Sequence, residues 1–364
     1  MKIVHVSYAA TSGHHHPQQW LQAINFFTGI VTQMAKTHDV SSIHCIDYEG
    51  VVTHGGAQYH FLKVSRWHRL LPSTVNHCVK TLRPDVVIVH GLHFSWPLLC
   101  LRLMLGPRVR YFMQHHAERP VRYHKRLLAR WADRFVEGYF FSSAALGKMW
   151  QDAGVIRDPA KVHEVMEVSS TFTATDPAAA KVACGVQGDP VYLWVGRLDR
   201  NKDPETLLKA FIDFATRHPS ATLYMIFTGN TLIETVQALA LKKTNQIKLV
   251  GAVPHHEMAQ WFNAADFIIS TSHYEGSGVA VCEAMSCGCI PLLTDIPAFR
   301  MMTGDGKCGA LFSRGDVAAL VSVLEKSVTL DRKEEKRKVL DQFAAALSFE
   351  AIATKINAVI SSSH

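Results

Sequence analysis

The stretch 190-PVYLWVGRLDRNKDPETLLKAF-211 indicates the fold class of this 364-residue chain. It begins with a short, almost continuous apolar run, which is typical of a strand buried on both faces of a parallel sheet. Asp203 and Pro204 then form a helix start, and the apolar residues beyond them recur with helical spacing. We interpret the stretch as strand, loop and helix, the repeating unit of a doubly wound sheet.

This alternation occurs in two series, with apolar runs such as DVVIVHG (85–91) in the first and ADFIISTS (265–272) in the second. A polar, small-residue stretch separates the two series. We therefore predict an α/β fold with two doubly wound, Rossmann-like domains facing across a cleft. The predicted boundaries are 1–170 for the first domain, 171–189 for a linker and 190–345 for the second domain.

The composition is that of a folded protein, with 48% apolar and 19% charged residues. The start MKIVHVSYAA lacks the pattern of a signal peptide, and the apolar span around Arg102 is too short for a transmembrane helix. Most of the eight cysteines lie in apolar stretches and none forms a C-x-x-C pair. They are expected to be reduced thiols, so we predict a cytoplasmic protein.

Charge is divided unevenly along the chain. Residues 1–170 contain 19 Lys and Arg against 11 Asp and Glu, together with 16 of the 21 histidines. The remainder contains 19 basic and 20 acidic residues. A basic half is compatible with an anionic ligand, nucleic acid or an acidic membrane surface, and charge alone does not choose among them.

Ligands of doubly wound sheets bind beyond the carboxyl ends of the strands. In the second half, Arg197 and Lys202 follow a predicted strand and precede a helix N-terminus, an arrangement suited to a pyrophosphate. The alternative is a solvated turn with two surface cations. In the first half, the equivalent loops are rich in histidine.

The segment 273-HYEGSGVAVCEAM-285 combines a glycine turn with two glutamates. Gly276 and Gly278 would let main-chain amides approach a ligand, and Ser277 is placed to cap a helix beginning near Val279. A wholly helical path from Glu275 to Glu283 would rise about 12 Å, which would let one carboxylate bind the sugar and the other the ribose of a nucleotide sugar. The alternative is a buried, paired Glu283 and a loop charge at Glu275.

No cofactor is predicted. GDGKCG (304–309) matches G-x-G-x-x-G, but it follows a helix and precedes a strand, which is the reverse of a dinucleotide site. The histidines at 14–16 and 115–116 lack the spacing of zinc sites, and the chain has no D-x-D pair to hold a metal–diphosphate complex.

The segment RYHKRLLARWADRF (122–135) is a predicted basic helix. Its apolar residues are helically spaced, so we expect them to face the core: Leu127, Leu128, Trp131 and Phe135. The alternative is docking on an anionic membrane or a charged acceptor.

Four stretches, in order, resemble the retaining glycosyltransferases of family 4, the group 1 glycosyltransferases with a GT-B fold. They are VGRLDRNKDPETLLKAF (195–211), TGN (228–230), the long segment 250–295 and KCGALFSRGD (307–316). The resemblance covers nearly all of 190–330, and the spacing of Glu275 and Glu283 is its most specific feature. Over 1–170 it is looser.

The resemblance implies that the second domain binds the donor. Arg197 and Lys202 would hold the diphosphate, Glu283 the ribose, and Glu275 with nearby amides the transferred sugar. The implied donor-binding set is Arg197, Lys202, Gly229, Glu275, Gly276, Ser277, Gly278, Val279 and Glu283. The implied catalytic residues are His116, Glu275, Arg197 and Lys202. The acceptor-side candidates are Gly13, His14, His90 and His115.

The expected reaction is sugar transfer from a nucleotide-diphosphate sugar to a hydroxyl of a glycan, lipid-linked glycan or small molecule, with retention of configuration and without a metal. Such a reaction belongs to polysaccharide or glycoconjugate biosynthesis, and nucleic acid is not an expected partner. The alternatives are a GT-B epimerase or phosphorylase, or a non-catalytic sugar-binding protein. The early loop departs from the family pattern at Ser12–Gly13 and His14–His16, so no acceptor is carried over. The segment 346–364 resembles the helix that packs back toward the first domain.

Overall fold

The computed structural model describes residues 1–65, 67–68, 70–116, 118–120 and 123–362, with the main chain alone at 123 and 124. Arg122, the first residue of the predicted basic helix, lies outside the described residues. The chain divides into two compact units. The first is Met1–Ser169 with Ser348–His364, and the second is Ser170–Leu347.

The first unit is built on an eight-stranded sheet in the order β3-β4-β2-β1-β5-β6-β7-β8. The strands are β1 (Lys2–Ala10), β2 (Asp39–Cys45), β3 (Gly50–His54), β4 (Ala57–Leu62), β5 (Val86–His90), β6 (Arg110–Gln114), β7 (Val136–Phe141) and β8 (Val162–Glu164). Its helices include α1 (Pro17–Ala23), α2 (Asn25–Met34), α3 (Ser73–Leu82), α4 (Ser95–Leu105), α5 (Tyr123–Ala132) and α6 (Ala144–Asp152). All neighbouring strands are parallel except the pair β3–β4. Strand order reverses between β1 and β5, which places a ligand crevice at their carboxyl ends.

The second unit has a six-stranded parallel sheet in the order β11-β10-β9-β12-β13-β14. The strands are β9 (Val191–Arg197), β10 (Thr222–Thr228), β11 (Ile247–Gly251), β12 (Phe267–Ser270), β13 (Ile290–Thr294) and β14 (Ala310–Phe312). The helices are α7 (Pro177–Cys184), α8 (Pro204–Arg217), α9 (Ile233–Ala240), α10 (Met258–Ala264), α11 (Val279–Ser286), α12 (Pro297–Thr303), α13 (Val317–Val328) and α14 (Arg332–Gln342). The order reverses between β9 and β12. GDGKCG lies between α12 and β14, so its interpretation as a loop is confirmed.

The segment 171–189 is not only a linker, because it contains α7. The Asp176 side chain accepts hydrogen bonds from the amides of Ala178 and Ala179, Pro177 begins the helix, and Gly185 ends it in a left-handed conformation. Ala180 is buried in the core of the second unit, where α7 packs on α10. The polar composition reflects helix caps as well as a connection between domains.

Helix α5 differs from its predicted orientation. Leu127 is 74% exposed and Trp131 45% exposed, so the expectation that both face the core is wrong. The helix instead buries Ala129 and Ala132, two small residues on one face, and packs against α4. The larger side chains of Leu127 and Trp131 therefore lie in solvent.

The last helix of the first unit, α15 (Phe349–Ser362), packs on α2. Its buried residues are Ile352, Ala353, Ile356 and Ile360. The Arg110 guanidinium on β6 donates a 2.6 Å hydrogen bond to the Ile360 carbonyl. Among the described residues, the stretch Arg332–Ser362 is long and apolar enough to cross a membrane by length and composition alone. Packing on α2 accounts for the apolar residues in its second half.

The contact between α2 and α15 depends on Gly29. A Cβ at this position would lie 2.5 Å from Cε1 of Phe349, closer than side chains pack. We expect Gly29→Ala to destabilise the protein by about 1–3 kcal/mol through overpacking. In a Phe349→Ala background the same change should cost nothing, because the ring is absent. Chemical denaturation of wild type, the two single variants and the double variant measures the coupling free energy between positions 29 and 349.

Gln33→Ala on the same helix is the matched control and should shift the free energy of unfolding by less than about 0.5 kcal/mol. Additive effects of the Gly29 and Phe349 substitutions would contradict the proposed close contact.

Candidate functional site

Two loops meet where the strand order of the second sheet reverses, its switch point. One follows β9 and the other follows β12. The Thr271 hydroxyl donates to the Lys202 carbonyl at 2.8 Å. The Asn201 side-chain amide donates to the Tyr274 carbonyl at 3.0 Å, and the His273 amide donates to the Asn201 carbonyl at 2.8 Å. These bonds fix the loops to each other, so side chains that they carry are held in a defined arrangement.

Lys202 and Glu275, which come from these two loops, form an ion pair. The distance from Lys202 Nζ to Glu275 Oε1 is 2.5 Å, and the side chains are 23% and 13% exposed. Arg197, at the end of β9, is 72% exposed and lies 3.3 Å through Nε from Asp199 Oδ2. The structure therefore brings Lys202 and Glu275 together, while Arg197 stays in solvent beside a carboxylate.

Helix α11 begins at Val279, as expected, but its N-cap is Gly278 with φ 61° and no side-chain cap. The expectation that Ser277 caps this helix is therefore wrong. A residue other than glycine at 278 would be strained at this φ, and its Cβ would lie 2.8 Å from Cε1 of Phe299. Because Glu275 lies in the turn before the helix, the 12 Å estimate for a wholly helical path to Glu283 does not apply.

Glu283 lies on α11 and its side chain is 8% exposed. Its Oε1 accepts a 2.6 Å hydrogen bond from Nε2 of His255, whose ring lies 5.2 Å from that of Phe172. Burial raises the pKa of Glu283 above its ordinary value, and His255 only partly offsets this. His255 was not predicted as a site residue, although it follows β11 at the carboxyl edge of the sheet. Gly229, which follows β10, has φ 75°.

Three histidines and a glutamate form a hydrogen-bonded chain in the first unit. His5 Nδ1 lies 3.0 Å from His90 Nε2, and His90 Nδ1 lies 2.9 Å from His116 Nε2. His116 Nδ1 forms an ion pair with Glu167 Oε2. Both ring nitrogens of His116 are therefore engaged within this unit.

The charges in this chain differ from one ring to the next. Burial, with a smaller contribution from His44, lowers the pKa of His5 to about 3. Burial and neighbouring imidazoles hold the pKa of His90 well below its ordinary value. Burial also acts to lower the pKa of His116, but Glu167 and Glu118 outweigh it and raise the pKa. We assign the positive charge to His116, which then donates to both Glu167 and His90.

His115 lies apart from this chain, although it is adjacent to His116 in sequence. It is 1% exposed, its Nε2 donates to the Glu118 carbonyl at 2.8 Å, and its ring lies 4.8 Å from that of Phe141. The Glu118 carboxylate accepts the amides of Leu92 at 2.9 Å and His116 at 2.6 Å. Glu118 thus ties the loop after β6 to the loop after β5.

The loop after β1 holds the other two acceptor-side candidates. Gly13 has φ 84° and its amide donates to Asp47 Oδ2 at 2.6 Å. The His14 carbonyl accepts the Asp47 amide at 3.1 Å, and the His14 ring lies 4.9 Å from Trp20. These contacts fix the loop beside α1.

A pocket of about 310 Å³ lies at the carboxyl ends of β1, β2 and β5. The described residues lining it are Ser7, Ala9, Trp20, Ile24, Phe26, Phe27, Ser42, Ile43, His44, His90, Gly91, Phe94, His116, Glu118 and Glu167. Sequence reasoning identified His90 and His116 but missed Glu167. Glu167 is an acid in the apolar run EVMEVSS, the same type of signal that identified Glu283.

No group of three or more His, Cys, Asp or Glu within the described ranges is arranged to hold a metal ion. All eight cysteines are free thiols.

His44 in the pocket wall should make stability sensitive to acid. Because burial lowers the pKa of His44 to about 4, it stays neutral in the folded protein, whereas the unfolded chain protonates it below about pH 6.5. Its contribution to stability is present above that pH and is lost as the pH falls toward 4. Between pH 7 and 5 the loss amounts to about 2 kcal/mol. His44→Gln should remove this part of the pH dependence of the free energy of unfolding, measured by chemical denaturation at each pH.

His77→Gln, at an exposed position on α3, is the matched control and should follow the wild-type curve. If the free energy of unfolding depends on pH equally in the His44 variant and wild type, the assignment of a neutral, buried imidazole is contradicted.

Comparison with known proteins identifies the family of the second unit. Residues 183–346 match the family Glycosyl transferases group 1. The D-inositol 3-phosphate glycosyltransferase of Frankia alni is 28% identical over 167 residues, which is 43% of this chain and 41% of that protein. The enzyme of the same name from Nocardia farcinica is 25% identical over 236 residues, 62% of this chain and 51% of that protein. The chain thus spans about half or less of the length of these relatives.

Solved structures share the fold over the whole chain. A sucrose-phosphate synthase of Thermosynechococcus elongatus has a TM-score of 0.73 at 16% identity, covering 99% of this chain and 98% of that one. Anabaena HepE in complex with UDP and glucose has a TM-score of 0.68 at 16% identity, covering 100% of both chains. The two Rossmann-like units have the GT-B fold, and residues 183–346 are a glycosyl transferases group 1 domain.

Proposed function

We propose that the protein is a retaining glycosyltransferase that moves a sugar from a nucleotide-diphosphate sugar to a hydroxyl of an acceptor, in polysaccharide or glycoconjugate biosynthesis. The observation that carries the proposal is the Lys202–Glu275 ion pair at the switch point of the group 1 domain. The HepE complex with UDP and glucose and the relatives named as glycosyltransferases support this class of reaction.

The donor diphosphate binds to Lys202 and Arg197, with the first amides of α11 adding positive character. A lysine ammonium has three donors, so Lys202 can keep its bond to Glu275 while donating to a phosphate oxygen. Arg197 is exposed and adds a planar, bidentate donor. The turn at Gly276–Gly278 lets the main chain approach the ligand.

Catalysis follows from stabilising the leaving group. As the bond between the anomeric carbon and the diphosphate oxygen breaks, negative charge develops on the diphosphate, and Lys202 and Arg197 oppose it. The departing phosphate accepts the proton of the acceptor hydroxyl, whose oxygen attacks the same face and so retains the configuration. Glu275, oriented by Lys202, accepts hydrogen bonds from hydroxyls of the transferred sugar. No metal takes part in this scheme.

Glu283 is proposed to bind the ribose. His255 occupies Oε1 at 2.6 Å, which leaves Oε2 to exchange a hydrogen bond with a ribose hydroxyl. His116 is proposed as a positioning residue, because bonds to His90 and Glu167 occupy both of its nitrogens.

Nucleotide binding tests this proposal. Isothermal titration with UDP, GDP and ADP, after a thermal-shift panel of their sugars, should find one nucleotide that binds. Arg197→Ala with Lys202→Ala should weaken it at least tenfold, because each charge-assisted hydrogen bond contributes roughly 1.5–3 kcal/mol. Lys209→Ala, an exposed lysine on α8 paired with Glu205, is the matched control and should bind as wild type.

Equal affinity of wild type and the double variant would contradict the diphosphate assignment. If the donor is consumed without any acceptor, the result would favour an epimerase. If its consumption requires inorganic phosphate, the result would favour a phosphorylase. Nucleotide binding without turnover would favour a non-catalytic sugar-binding protein.

Exposed apolar and basic side chains on α4 and α5 support a peripheral contact with an anionic membrane, on its cytoplasmic side. Leu103 and Leu127 are 80% and 74% exposed, and Trp131 is 45% exposed. Lys125 and Arg130 on α5 are also exposed, so apolar and basic side chains occur together. This is the composition of a helix that inserts its apolar side chains at the headgroup level while its cations contact acidic lipids.

Liposome flotation tests this contact. Wild type should float with vesicles containing phosphatidylglycerol, less so at high salt, and not with phosphatidylcholine alone. Leu127→Ser with Trp131→Ser should lose most of the binding. Val182→Ser on α7, 83% exposed, is the control and should bind as wild type. Equal flotation of the α5 variant and wild type would contradict the proposal.

A further inference from the structure

Two kinds of side chain line the pocket at the carboxyl ends of β1, β2 and β5. One is apolar and largely aromatic: Trp20, Ile24, Phe26, Phe27 and Phe94. The other is polar: His44, His90, His116, Glu118 and Glu167. At about 310 Å³ the pocket accommodates a single ring-sized group. An apolar wall with a few convergent polar groups is typical of small-molecule sites.

The polar lining residues offer no net positive charge. Burial lowers the pKa of His44 to about 4 and that of His90 well below its ordinary value, so both rings are neutral near pH 7. The charge on His116 is balanced by its ion pair with Glu167. Glu118 is a further carboxylate, stabilised by two main-chain amides.

None of the described lining residues is Lys or Arg. A phosphate placed here would meet two carboxylates and only one cation, which is already paired. Phosphate sites in proteins rely on arginine, lysine or clustered main-chain amides. The amides of Leu92 and His116 are already bonded to the Glu118 carboxylate.

We infer that this pocket is the acceptor subsite and that it takes an uncharged polyol ring, a sugar or cyclitol without phosphate. The inference rests on the proposed glycosyl transfer. The carbon–hydrogen face of the ring packs on Trp20 and Phe27, and a ring hydroxyl donates to Glu167. The acceptor class thus differs from that of the relatives, whose name specifies a phosphorylated cyclitol.

Matched probe pairs test the inference on the full chain. The first pair is myo-inositol and D-inositol 3-phosphate, and the second is methyl α-glucoside and glucose 6-phosphate. Saturation-transfer NMR and calorimetry should show at least one neutral probe binding ten or more times tighter than its phosphorylated partner. Phe27→Ala should weaken the neutral probe at least tenfold, with Phe27→Leu as a milder variant that preserves folding.

Glu167→Gln should reduce the ratio of neutral-probe affinity to phosphorylated-probe affinity. The substitution removes a negative charge and an acceptor for a sugar hydroxyl, while keeping the side-chain shape. Glu49→Gln, an exposed glutamate outside the pocket, is the matched control and should leave the preference unchanged. Equal or tighter binding of the phosphorylated probes, or binding of none of the four, would overturn the inference.

Nucleotide titration distinguishes failure of the acceptor inference from failure of the proposed glycosyltransferase function. If a nucleotide diphosphate binds and the neutral probes do not, the acceptor inference fails and the glycosyltransferase proposal stands. If a neutral probe binds the pocket and no nucleotide does, the function fails and the pocket remains a polyol site. Arg197→Ala with Lys202→Ala should weaken nucleotide binding at least tenfold and leave neutral-probe binding unchanged.

Discussion

The proposed donor site depends on the ion pair between Lys202 and Glu275. The two side chains belong to loops that follow neighbouring strands, and hydrogen bonds from the Thr271 and Asn201 side chains and the His273 amide fix those loops to each other. Because both groups are largely shielded from solvent, removing one would leave the charge of the other poorly compensated. The pair therefore explains why neither loop is free to rearrange, and why a donor phosphate would meet a cation already in place.

The two units place their polar side chains by the same rule with different chemistry. In each sheet the strand order reverses once, and the loops at that point lie side by side. In the second unit these loops present a lysine, a glutamate and a helix N-terminus, which suits an anionic diphosphate. At the carboxyl edge of the first sheet the pocket is lined by imidazoles, two carboxylates and aromatic rings, which suits a neutral ring. The side chains at each crevice thus indicate the type of ligand better than the division of net charge along the chain does.

Strand–helix alternation was enough to predict two Rossmann-like units, because continuous apolar strands leave few other arrangements. Helix starts at Pro204 and Val279 were predictable from local chemistry. Pairings over long sequence separation were not. Nothing near Glu167 indicates His116 as its partner, and nothing near Glu283 indicates His255. The capping role expected for Ser277 failed because the chain turns through a left-handed conformation at Gly278. Leu127 is exposed because α5 buries the face that carries Ala129 and Ala132, and hydrophobic periodicity predicted a different face.

The first unit is not one continuous piece of chain. Helix α2 carries Phe26 and Phe27, which line the pocket, and also Gly29, which contacts Phe349 more than 300 residues later. During synthesis, α2 lacks its packing partner α15 until the entire second unit has been made. Completion of the first unit therefore depends on completion of the second, so a ribosome-bound or truncated chain lacking α15 would leave the helix that carries Phe26 and Phe27 without its packing partner.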